Sequence, residues 1–131
     1  MKRELKFRQP IFSQNGQFAT WHFFDINKNE TSENSKATYA YRNKHPKPAY
    51  QFTGLHDKDG KDIYDGDILS YYNIFSELTY KHIVQWNSDL ACFGLYEKGN
   101  EYCEEMDWLM IQDIEVIGNI YENKELLNKN N

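Results

Sequence analysis

The chain has 131 residues, 40% apolar and 27% charged, with a formal net charge of −5 and a mean hydropathy of −0.85. That length fits one domain, and no run of about 18 apolar residues exists to cross a bilayer as a helix. Ten Tyr, eight Phe and three Trp must supply much of the core, and because aromatics favour pleated, half-buried surfaces the chain reads as mainly β.

Residues 3–26 read as a β-hairpin. Asn15 and Gly16 are a strong turn signal, and a two-residue type I′ loop there pairs residues whose numbers sum to 31. Leu5 then faces Ile26, Phe7 faces Phe24 and Ile11 faces Thr20. On the other side Lys6 faces Asp25 and Arg8 faces Phe23. Apolar residues meet apolar ones and opposite charges meet, as cross-strand stabilisation requires, and a one-residue slip would undo the sorting. Pro10 cannot donate to a ladder, so this strand is expected at an edge or broken by a bulge there.

Residues 27–48 are polar and close on His45, Pro46, Lys47 and Pro48, which predicts a long irregular connection with at most a short strand at 37–41. A second hairpin follows. Asp57, Lys58, Asp59 and Gly60 have the composition of a type I turn closing on a glycine bulge. Asp65 and Gly66 bend the chain again before a strand from Asp67 to Tyr72.

Residues 80–86 alternate, with Tyr80, His82, Val84 and Trp86 on one face and Lys81, Ile83 and Gln85 on the other. Asn87, Ser88 and Asp89 predict a turn before a strand at 90–97. Met106, Leu109, Met110 and Asp113 have helical spacing, so a helical turn is expected before a last strand at 113–121. In that strand Gly118 and Asn119 suggest a bulge. Asn123 is placed to cap a short helix at 124–128 with Glu125 in its first turn, and residues 128–131 are a polar tail. We therefore expect a single domain over 1–131: an N-terminal hairpin (1–26), a polar connection (27–48), a main β core (49–127) and the tail.

Charge is unevenly shared. Residues 1–50 hold nine Lys or Arg and four Asp or Glu, a net +5, and residues 51–131 hold six and sixteen, a net −10. Such a split suits two parts that pack together, within a chain or between subunits. It also suits a basic arm for nucleic acid, although the basic residues are scattered rather than blocked.

No catalytic or metal motif stands out. Asp57, Asp59, Asp62, Asp65 and Asp67 invite a calcium reading, but the loop register fails: starting at Asp57 puts Lys61 at position 5 and Asp62 where glycine is needed. These aspartates read as turn formers, with Asp65 and Asp67 a weaker acid–base pair if they share a strand face. His22, His45, His56 and His82 have no metal spacing, and Cys92 and Cys103 do not form a knuckle. A Cys–His pair with His82 has nothing to favour it over a buried thiol. With a charged start, Met1, Lys2 and Arg3, and no apolar stretch after it, no export signal is expected, so the thiols should be reduced and the chain cytoplasmic. We expect no enzyme activity, no cofactor and no metal.

The aromatics are the remaining signal. Trp21 and Phe23 lie on the hairpin face opposite Phe7 and Phe24. A strand with aromatics on both faces is covered on both sides or shows one to a partner. Trp21, Phe23, Lys6 and Arg8 are thus the candidate binding residues, either as a protein interface or as a base-stacking platform.

Four segments resemble the YopX-like proteins of bacteria, phages and prophages. They are Leu5, Lys6, Phe7 and Arg8; the string QFTGLHDKDGKDIYDGDI at 51–68; Val84 with Trp86; and VIGNIYEN at 116–123 followed by Glu125, Leu126 and Leu127. They occur in the family's order and run almost end to end, while residues 10–48 depart from its commoner pattern. The resemblance implies a mainly β fold, barrel-like or two-sheeted, and assembly of some members into oligomers. It supplies no activity and no site residues. Together these readings give a phage- or prophage-type accessory protein acting by protein–protein binding, with self-association, and nucleic-acid binding through the hairpin as the alternative.

Overall fold

The structure, a computed structural model, describes residues 4–30, 48–97 and 111–127, together with the backbone of Cys103–Glu105. The expected strand at 37–41, the helical turn from Met106 to Met110 and the tail lie outside the described residues. The chain divides into two compact units, Met1–Phe52 and Thr53–Asn131.

The first unit is built on β1 (Lys6–Phe12) and β2 (Phe18–Asp25), joined by Tyr50 to Phe52, the first residues of β3 (Tyr50–His56). The β1–β2 register is the expected one from Lys6↔Asp25 to Ile11↔Thr20. The turn is not the expected two-residue type I′ loop. Gly16 N donates to Ser13 O (2.9 Å), Ser13 N donates to Gln17 O (2.8 Å), and only Gly16 of the pair has positive φ, at 83°. This is a type I turn closed by a glycine bulge. It moves the pairing to Phe12↔Phe18, and a second irregularity at Ala19 restores the register beyond it. Two departures from the expected path therefore cancel.

Pro10 also sits differently. β1 lies between β2 and β3 rather than at an edge, but its pairing with β3 covers Phe7↔Gln51 and Arg8↔Tyr50, short of Pro10, so no ladder bond to β3 is needed there. A 3-10 turn (Ile26–Lys28) follows β2, opened by Asp25, whose carboxylate accepts Asn27 N at 2.9 Å.

The second unit comprises the rest of β3, β4 (Asp62–Tyr64), β5 (Asp67–Asn73), β6 (Leu78–Asn87), β7 (Cys92–Tyr96), β8 (Cys103–Glu105) and β9 (Ile111–Asn119). The strand orders are β2-β1-β3-β4 in one sheet and β8-β7-β6-β5-β9 in the other, so the fold is the two-sheet form of the mainly β expectation. The core of this unit is Ile63, Leu69, Tyr71, Val84, Leu95, Ile111 and Ile114. Alternation along β6 holds: Val84 enters that core beside Tyr80, while Ile83 is buried on the other face, opposite Ile68. Buried Tyr71 shares a 2.7 Å hydrogen bond with His82 Nδ1, which settles a hydroxyl that would otherwise be costly to bury.

Turns explain most of the polar signature at 57–68. Gly60 has φ 83°, its N–H donates to Asp57 O (3.0 Å), and Asp57 N donates to Lys61 O (2.9 Å). This turn is the twin of the one at residues 13–17. The β5–β6 and β6–β7 turns form another matched pair. Asn73 Oδ1 accepts Phe75 N (2.9 Å) and Ser76 N (3.2 Å). Asn87 Oδ1 accepts Asp89 N (2.9 Å) and Leu90 N (3.1 Å). Each loop then passes through a left-handed residue, Glu77 (φ 56°) or Ala91 (φ 52°).

The last strand starts at Ile111, earlier than expected, and carries two irregularities against β5, one of them around Asp113, which has φ 54°. The other leaves Ile117 as the extra residue next to Gly118, close to the expected bulge. In place of a helix at 124–128 there is a 3-10 turn, Lys124–Leu127. The Asn123 side chain turns back to accept Asn119 N at 3.2 Å.

Candidate binding face of the first unit

Strand alternation puts Lys6 and Arg8 of β1 on the same face as Trp21 and Phe23 of β2, and the Arg8↔Tyr50 pairing adds Tyr50 and Phe52 of β3. The four residues singled out in the sequence are therefore brought together. Tyr50 and Phe52 were missed, because placing β3 beside β1 depends on a connection that carries no periodic signal.

The face is a ladder of cations on rings. The Arg8 guanidinium lies over the Trp21 ring with Cζ 4.1 Å from its centroid. Lys6 Nζ lies 4.2 Å from the Phe52 centroid and 3.7 Å from Glu4. Trp21 is wedged by Tyr50 (5.9 Å, 81°) and Phe18 (5.3 Å, 63°), both edge-on, the geometry ring quadrupoles favour. On the opposite face Phe7 stacks on Phe24 (5.5 Å, 15°) and His22 on Phe24 (5.7 Å, 20°).

Exposure separates the members. Arg8 is only 5% exposed, whereas Phe23 is 56% exposed. Trp21 is half-buried with its ring already engaged. Phe23, directly across from Arg8, is the aromatic that meets solvent, and Ile26 just beyond β2 is exposed as well.

The other sequence candidates resolve into architecture. Asp57 Oδ1 accepts Asp59 N and Lys61 N (each 2.9 Å) and its Oδ2 accepts Val116 N (3.0 Å). Burial pushes its carboxyl up, but these three N–H groups and the Lys61 ammonium outweigh that and hold it below its ordinary value. Asp67 is buried and accepts Tyr64 N at 2.8 Å. Asp65 lies in the turn before β5 rather than on the strand, so the two do not form the strand-face pair considered above. Cys92 pairs with Asn87, while His82 pairs with Leu69 further along β6, so β6 and β7 do not bring them together. Among the described residues no three His, Cys, Asp or Glu side chains are grouped to hold a metal, and no helix is long and apolar enough to cross a membrane.

Compared with known proteins, residues 5–128 match a family model described as YopX protein. No curated protein matches the chain.

Proposed function

The chain belongs to the YopX family, and we propose that it is a non-enzymatic binding module whose partner is a protein, a second copy of itself first. The observation that carries this reading is the contrast within one face: Phe23 lies exposed beside cations already seated on rings. Aromatic side chains are enriched among the residues that anchor protein interfaces. The division of charge, +5 in residues 1–50 and −10 in residues 51–131, makes another copy a complementary partner. In this reading the protein is a phage- or prophage-type accessory factor working in the cytoplasm of a bacterial host.

Nucleic-acid binding is the second reading. It asks Arg8 to reach a phosphate, which would lift a nearly buried guanidinium off Trp21. It also asks for open ring faces, and with the face of Trp21 beneath Arg8 taken that leaves Phe23 as the exposed ring. Phosphate contacts come from accessible Lys and Arg, so this reading is less well supported.

Sedimentation across a concentration series, at low and high salt, tests the proposal on wild type and on Phe23→Lys. Concentration-dependent association that salt and Phe23→Lys both weaken is the expected result. A monomer throughout, with retention on a DNA or RNA column that falls steeply with salt, would replace it with the second reading.

A further inference from the structure

We infer that Asn15 is a deamidation site whose reactivity is gated by the β1–β2 turn. Asn15 and Gly16 are the one Asn-Gly step in the chain, and both are exposed. Glycine, with no Cβ, leaves its backbone nitrogen open to attack the preceding side-chain amide. The folded turn occupies both reacting groups. Gly16 N–H is committed to Ser13 O at 2.9 Å. Asn15 Oδ1 is held by Gln17 N at 3.2 Å and by the Ser13 hydroxyl. A type I turn also keeps the ψ of its third residue near 0°, well away from the rotation that ring closure requires.

Chemistry therefore waits on local opening of the turn, whose residues 14–17 are exposed. Once the turn opens, Gly16 N loses its proton to solvent base and bonds to Asn15 Cγ. The Cγ–Nδ2 bond breaks and ammonia leaves with that proton. Water then opens the succinimide at either carbonyl, giving aspartate or isoaspartate. The net change is amide plus water to acid plus ammonia, with no other reactant. Isoaspartate adds a backbone carbon to a turn whose two hydrogen bonds set its length, and either product adds a negative charge to the basic part of the chain. The turn that carries Phe23's hairpin thus records its own opening irreversibly.

The test is peptide mapping of the full chain aged at mildly alkaline pH, folded and in urea. Asn87, whose side chain also accepts the backbone N–H two residues on but which is followed by Ser88, serves as the internal comparison. Asn15 should convert in urea faster than Asn87, and about tenfold more slowly when folded. Ser13→Ala should raise the folded rate several-fold and leave the urea rate unchanged. Equal folded and urea rates would overturn the gating. Persistence of intact Asn15 in urea would overturn the site. A folded rate unmoved by Ser13→Ala would overturn the part given to the hydroxyl.

Discussion

Asp57, in the β3–β4 turn, accepts the backbone N–H of Val116 on β9 at 3.0 Å, tying residues 59 positions apart through one carboxylate oxygen. The neighbouring Lys58 N donates to Ile114 O at 2.8 Å, so the turn is stitched to β9 at two points, either side of Glu115. Charge-assisted bonds of this kind are about twice as strong as neutral ones. Asp57→Ala strands Val116 N–H and loosens the turn, and should cost about 2–3 kcal/mol in urea unfolding. Asp57→Asn keeps one acceptor but turns a donor toward other donors, and should recover only part of that. The pH dependence has a definite sign. The folded carboxyl titrates below its ordinary 3.8, so its contribution is fully present above about pH 4 and is lost as pH falls through the folded value. The gap between wild type and Asp57→Asn should narrow below that pH. A constant gap down to the acid transition would show that the bond to Val116 does not depend on charge.

Gly118 is required by contact. A Cβ there would sit 2.5–2.6 Å from the Asn123 side chain, and that side chain holds Asn119 N–H. Gly118→Ala must push Asn123 aside, at about 1–3 kcal/mol. Asn123→Gly removes the obstacle and also the acceptor. The double variant should be less destabilised than the sum of the singles, because the clash cannot occur in it. Strict additivity in chemical denaturation would mean that the glycine serves some other purpose.

Glu77 and Ala91 each hold a left-handed backbone, at φ 56° and 52°, in the two Asn-led turns of the second unit. A side chain there costs about 1 kcal/mol or more, which glycine avoids at some entropic expense. Glu77→Gly and Ala91→Gly should each stabilise by about 0.5–1 kcal/mol, and in separate turns their effects should add. Thermal unfolding of the two singles and the double would settle it. Destabilisation by both would show that these residues carry contacts worth more than the backbone strain.

The first hairpin shows what a single sequence can and cannot give. Its register was readable because pairs such as Lys6↔Asp25 and Phe7↔Phe24 sort by chemistry along both strands. The turn type was not, because an Asn-Gly step suits both a two-residue and a three-residue loop, and the extra residue at Ala19 hides the difference further along. Elements with strict alternation, such as Tyr80, His82 and Val84 on β6, were legible to the residue. Relationships that join distant segments, Asp57 to Val116 or Arg8 to Tyr50, leave no local pattern. So the candidate face was read as four residues and not six. Left-handed Glu77 and Ala91 left no glycine to mark them, although Asn73 and Asn87 at the loop starts are recognisable side-chain caps.

Arg8 over Trp21 supplies the last prediction. A guanidinium 5% exposed and 4.1 Å from an indole centroid is a desolvated cation–π pair, for which about 2 kcal/mol is typical. Arg8→Met keeps length and apolar packing while removing the charge. Trp21→Leu keeps burial while removing the ring. A cycle of the two should give a coupling of about 1–2 kcal/mol. Arg8→Lys should rescue little, since a planar guanidinium stacks on an indole and a strongly hydrated ammonium resists burial there. Phe23, which faces solvent, should by contrast tolerate Phe23→Lys with little change in unfolding midpoint, since surface changes usually fall within about 0.5 kcal/mol. If Phe23→Lys proved as destabilising as Trp21→Leu, Phe23 would be part of the packed core, and its assignment as the contact residue of this face would fail with it.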